Sequence, residues 1–190
     1  AVTAQDRLLI GLCTPERLLE FVRSYVLFDR KVDKIVARHQ QFFGIRALLD
    51  QISRIKPDGA REGGVIWHTT GSGKSFTMVM LCKALLLHEK LKACRLVVVT
   101  DRRDLEKQLA GNFLTGGAFG SDIGSKDAGK AKAQSGRDLA KRIGKGAERI
   151  IFTIINKFGS AARHPECRND SADMIVLVDE GHRSQGGENH

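Results

Sequence analysis

Two short runs hold residues of the right type and spacing for chemistry: Thr70-Gly71-Ser72-Gly73-Lys74-Ser75, and the acidic pair Asp179-Glu180 followed by Gly181 and His182. Glycines at 71 and 73 allow a turn that points several backbone N–H groups into one concave space at a helix start, which is an anion site. The Lys74 ammonium would meet the outer phosphates of a nucleotide, and the Ser75 hydroxyl would hold Mg²⁺. Asp179 is the second expected contact to that ion, through water. Glu180 would orient and deprotonate the water that attacks the terminal phosphate. His182 is suited to relay the nucleotide state to a nucleic-acid side. One departure stands inside the pattern: His68 occupies the position where a phosphate-binding loop usually has glycine.

These groups work only if a sheet delivers them to one edge. Gly64-Val65-Ile66 reads as a strand entering the loop, and Met78, Leu81, Cys82, Leu85 and Leu86 recur at helical spacing after it. Arg95–Thr100, Arg149–Ile155 and Met174–Val178 are short continuous apolar runs, the pattern of strands buried on both faces of a parallel sheet. The last of them carries Asp179 and Glu180 at its carboxyl end, where ligands lie in open α/β sheets. The expected fold class is therefore α/β, a parallel sheet flanked by helices, in the manner of a P-loop NTPase.

Upstream, Thr14-Pro15-Glu16 is a helix start, and Leu18, Leu19, Val22, Tyr25 and Val26 follow at helical spacing. A second helix is expected over about residues 36–55. It contains Gln41, whose amide has the donors and acceptor to pair with an adenine edge; Gln40 is the alternative register. Residues 1–56 thus read as a helical segment with an adenine-recognition motif, and residues 57–190 as the ATP-binding lobe.

The chain has 190 residues, 42% of them hydrophobic, enough for a sizeable core. Its net charge of +9 suits a partner with a polyphosphate backbone, although ordinary solubilising charge accounts for it equally well. Arg102 and Arg103 follow a strand end, where a backbone-phosphate contact and an ion pair with Asp101 or Asp104 are both reasonable. Glycine-rich, basic residues 111–146 read as a long loop with a short helix near Arg137–Ile143, either DNA-facing or simply solvated. Cys13, Cys82, Cys94 and Cys167 have no zinc-hook spacing and read as reduced thiols of a cytoplasmic protein. No apolar run approaches the ~18 residues of a membrane span, so no membrane partner is expected.

Taken together, these motifs resemble the first RecA-like lobe of superfamily 2 DExH helicases and translocases. The wording of Ile66–Ser75, of Thr100-Asp101-Arg102, of Thr153 with Ile155-Asn156-Lys157-Phe158, and of Asp179–Gln185 is similar to the motor subunit of type I restriction enzymes. The resemblance extends over nearly the whole chain. It implies ATP and Mg²⁺ as cofactors, with nucleotide binding at Gln41 and at Thr70 through Ser75. It implies hydrolysis at Lys74, Asp179 and Glu180, and nucleic-acid contact at Arg102, Arg103, Thr153 and Lys157. Its partners would be double-stranded DNA and the modification (methyltransferase) and specificity subunits. Thr70 stands where that family usually has Gln, Gly181 where it has Ala, and Asn156 where it has Gln; Gly181 is expected to loosen the turn after the acids. The resemblance also makes the chain a fragment, with a nuclease domain and a second lobe lying outside it. Two alternatives remain: a superfamily 2 helicase of repair or RNA processing, and a nucleotide-binding module that never translocates.

Overall fold

The computed structural model describes residues 2–29, 33–69, 71–101 and 131–181. Its described residues fall into two compact units that divide after Lys92.

The first unit is mainly helical. Helix α1 spans Ala4–Leu12 and α2 spans Pro15–Tyr25. Asp6 N–H donates to the Thr3 hydroxyl at 3.1 Å, and Thr3 N–H donates back to the Asp6 carboxylate at 2.8 Å, a capping box that starts α1. Pro15 starts α2 as its sequence predicts, but the Thr14 side chain makes no capping hydrogen bond. An antiparallel hairpin follows, β1 (Val26–Asp29) with β2 (Asp33–Val36), in register from Val26 opposite Val36. This hairpin replaces the helical reading of Val26 and Val36. Both strand segments are too short to leave a clear alternation in the sequence.

Helix α3 (His39–Ile52) and helix α4 (Lys74–Leu87) complete the unit. The ring of Phe42 meets Tyr25 edge-on at 4.7 Å, and Phe21 packs on both rings. This aromatic cluster fixes α3 against α2. Helix α4 buries Val79, Met80, Leu81, Cys82, Leu85 and Leu86, apolar on nearly every side, and contacts α2 and α3. On the same helix the half-buried Lys83 ammonium donates to the Val26 carbonyl at 2.9 Å, and burial lowers its pKa. The helix that follows the phosphate-binding loop therefore packs on the N-terminal helices. By compactness alone, the described residues divide after Lys92.

The expected strand at Gly64–Ile66 does not form. Residues 62–69 have no regular structure, and Val65 and Trp67 are 89% and 84% exposed. A strand is held by its ladder and its cross-strand neighbours. This run, entered through Gly63-Gly64, has no ladder partner among the described residues.

The second unit contains a three-stranded parallel sheet in the order β4-β3-β5, with β3 (Arg95–Thr100) central between β4 (Ile150–Ile154) and β5 (Met174–Val178). Val98 faces Phe152 on one side and Leu177 on the other. The apolar runs form strands because helices cover them: α5 (Gly136–Lys145) and α6 (Ile155–Ala161) bury Val97, Val99 and Ile151 together with Leu139, Ala140 and Ile143. Strand β5 is less covered than its composition suggests, with Val176 44% and Val178 51% exposed. The helix expected near residues 137–143 is α5. The Ser135 hydroxyl accepts from Asp138 N–H at its start. Burial tends to raise the Asp138 pKa, but hydrogen bonds from Gln134 N–H and Arg142 outweigh it and hold the carboxyl below its usual range. At the other end the Arg95 guanidinium donates to the carbonyls of Arg142, Ile143 and Glu148 at 2.5, 3.1 and 3.1 Å, tying β3 to the end of α5.

Gly144, in the last turn of α5, lies against the Glu166 carbonyl with no room for a side chain. Gly144→Ala is expected to cost about 1–3 kcal/mol, because the obstacle is backbone and cannot swing aside. Urea denaturation checks this; an unchanged midpoint would contradict the close approach.

Candidate functional site

The phosphate-binding loop takes the shape its glycines permit. Gly71 has φ 76° and Gly73 has φ 87°, both left-handed, and Gly73 is the N-cap of α4. Thr77 N–H donates to the Gly73 carbonyl at 3.0 Å, the first helical bond. Ser72 turns back on Thr69, its hydroxyl donating to that carbonyl at 2.7 Å. Lys74 and Ser75 are the first two residues of α4, where backbone N–H groups have no partner within the helix. A Cβ built on Gly71 would meet nothing within 4 Å. The cradle therefore fits a phosphate chain. Among the described residues no group of three or more His, Cys, Asp or Glu converges as a metal site. The buried His68 Nε2 has no hydrogen-bond partner among the described residues.

Gln41, not Gln40, stands beside this loop. Gln40 is exposed, whereas Gln41 is 4% exposed. Its Oε1 accepts from Arg38 N–H at 2.8 Å; its Nε2 donates to the Thr77 hydroxyl at 2.8 Å and to the Gly73 carbonyl at 3.4 Å. Both amide donors are thus used inside the protein, and the remaining capacity is one lone pair on Oε1. Sequence reasoning missed Thr77. Its signal was present: a hydroxyl three residues after Lys74, at the head of an otherwise apolar helix.

In the second unit Asp179 N–H donates to the Val99 carbonyl at 2.9 Å, so the acid pair extends the β3–β5 ladder at its carboxyl end. Glu180 has φ 51°, a left-handed backbone carried by a residue with a Cβ. Gly181 has no such φ, and an added Cβ there would meet nothing within 4 Å. The turn therefore does not require glycine at 181. Gly181→Ala is expected to leave stability unchanged or raise it by up to about 1 kcal/mol, read as a thermal midpoint; a clear loss would contradict this geometry.

The proposed nucleic-acid residues fare unevenly. Thr153 is fully buried and its hydroxyl donates to the Ile154 carbonyl at 3.4 Å, so no strand of nucleic acid can touch its side chain in this arrangement. The Lys157 ammonium donates to the Ala133 carbonyl at 2.7 Å, a bond inside the second unit. Thr70, Arg102, Arg103 and His182 lie outside the described residues, as does most of the basic segment.

A glycine-built anion cradle opening a helix, a buried glutamine against it, and an acid pair ending a parallel strand define the P-loop ATPase class. The family model for SWI2/SNF2 ATPases matches residues 40–190, and the chain belongs to that family. It is similar to the type I restriction enzyme HindI endonuclease subunit of Haemophilus influenzae, at 38% identity over 193 residues, covering 95% of this chain and 17% of the relative. It is also similar to a putative type I restriction enzyme MjaIXP endonuclease subunit of Methanocaldococcus jannaschii, at 34% identity over 191 residues, covering 97% and 17%. The SsaAORF53P endonuclease subunit of Staphylococcus saprophyticus matches at 28% identity over 93% of this chain. The chain thus spans about one sixth of the length of these relatives. Among the described residues no helix is long and apolar enough to cross a membrane.

Proposed function

We propose that this chain is the ATP-binding motor lobe of a type I restriction enzyme endonuclease subunit. In the complete polypeptide it hydrolyses ATP to move duplex DNA before another domain cleaves it. The left-handed glycine turn at Gly71 and Gly73, opening directly into α4, is the observation that carries this reading, and the names of the relatives point to the restriction context. In the proposed lobe, residues 57–190, Lys74 binds the outer phosphates, Ser75 and Asp179 hold Mg²⁺, and Glu180 positions and deprotonates the attacking water. Residues 1–56 supply Gln41 on the adenine side. Thr70 completes the loop, Arg102, Arg103 and Lys157 face the nucleic acid, and His182 couples the two ligands. The metal-bound nucleotide supplies a polarised terminal phosphate; the chain's own groups bind, orient and take the proton. The partners are double-stranded DNA and the modification and specificity subunits, met in the cytoplasm.

The test is ATP hydrolysis by the complete polypeptide assembled with its partner subunits, with and without duplex DNA bearing the recognition site. Strong stimulation by DNA is expected. Equal rates in both conditions would overturn the motor reading and leave a nucleotide-binding module.

A further inference from the structure

The contact between Gln41 and Thr77 joins two parts of the proposed nucleotide site that the sequence keeps 36 residues apart. Its hydrogen-bond directions are fixed by chemistry. Arg38 N–H can only donate, so Oε1 of Gln41 must face it at 2.8 Å, and the amide nitrogen is left facing Thr77. The amide can only donate there, so the Thr77 hydroxyl accepts from it and sends its own hydrogen to the Gly73 carbonyl at 3.2 Å. Both side chains are 4% exposed, so neither group has ready access to water in exchange. The carbonyl they converge on belongs to Gly73, the left-handed N-cap of α4, and the Gln41 amide is so close that a Cβ on Gly73 would approach it at 3.3 Å. That residue's backbone direction decides where the following N–H groups, those of Lys74 and Ser75, point.

We infer that Thr77 is a positioning residue for the phosphate loop. Its hydroxyl, held by the Gln41 amide, fixes the Gly73 carbonyl and with it the left-handed entry into α4. Gln41 then acts on the phosphates through Thr77 whether or not a base is present. This deepens the ATP-site reading and rests on it.

The distinguishing ligand is one without a base. Magnesium tripolyphosphate binding to the full chain is measured by calorimetry for the wild type, Thr77→Val, Thr77→Ser, Gln41→Met and the Thr77→Val/Gln41→Met double variant, with Lys74→Ala as the loop control. Thr77→Val keeps the shape of the buried side chain and removes the hydroxyl. Expected are a roughly 5- to 10-fold loss of affinity in Thr77→Val and in Gln41→Met, no further loss in the double variant, and recovery in Thr77→Ser. A role confined to packing would not spare Thr77→Ser or give this non-additivity. If Thr77→Val fails to fold, Gln41→Met still tests the same relay from its other end. Unchanged tripolyphosphate affinity in Gln41→Met, with binding still lost in Lys74→Ala, overturns the relay and leaves the ATP site standing. Absence of wild-type binding, or binding indifferent to Lys74→Ala, overturns both.

Discussion

Lys74→Ala is expected to weaken the binding of magnesium nucleotide by about 10- to 150-fold, which removes measurable affinity for a ligand that already binds weakly. The figure follows from a charge-assisted bond to phosphate, worth about 1.5–3 kcal/mol. The loop's backbone would survive the change. Gly71 and Gly73 hold the left-handed conformations, and Lys74 itself is an ordinary first residue of α4 that alanine can replace within the helix. Stability and circular dichroism should therefore be unaltered while calorimetric binding of ADP and ATP is lost. Unchanged affinity in a folded Lys74→Ala variant would sink the phosphate-loop assignment.

The second large effect is expected at Glu180. In the complete polypeptide, Glu180→Gln should lower the rate of ATP hydrolysis by about 10²–10⁴-fold, the usual contribution of a positioned general base, with nucleotide affinity changed little. The backbone at this residue adds a second readout. A left-handed non-glycine residue carries about 1–2 kcal/mol of strain, part of which glycine would release against its own greater chain entropy. Glu180→Gly is therefore expected to be as inactive as Glu180→Gln but more stable than it, by up to about 1 kcal/mol in chemical denaturation. Strain of this kind clusters at functional positions, which agrees with the proposed role of Glu180. Full hydrolytic activity in Glu180→Gln would remove Glu180 from the chemistry, and a Glu180→Gly variant less stable than Glu180→Gln would remove the strain.

Much of the architecture was legible in the residues themselves. Arg95–Thr100, Ile150–Ile154 and Met174–Val178 are continuous apolar runs of strand length, and a run of that kind has few homes other than a covered parallel sheet. Pro15 and the Gly73-Lys74 junction mark helix starts because each has a local steric or hydrogen-bonding reason to do so. The same holds for the glycines at 71 and 73, whose missing side chains permit the left-handed φ that the loop adopts.

Where a feature depends on neighbours far along the chain, only the tertiary structure decided it. Val65-Ile66 has the composition of a strand, but a strand exists through its ladder, and this segment has none among the described residues. Thr153 is a polar residue in an apolar run. From sequence it is free to face either way, yet on β4 opposite Val99 it is fully buried, with no ligand-facing side. Lys157 is drawn to a carbonyl at residue 133 that no local pattern announces. Gln41 shows the division most clearly. Its amide chemistry was evident from its type, but its orientation was set by Arg38 on one side and Thr77 on the other, because a buried amide must place each donor and acceptor opposite a partner. The sequence by itself determined which residue types are on hand for the proposed contacts to phosphate, magnesium and base. The packing of α3 on α4 determined which hydrogen bonds those residues are left to make.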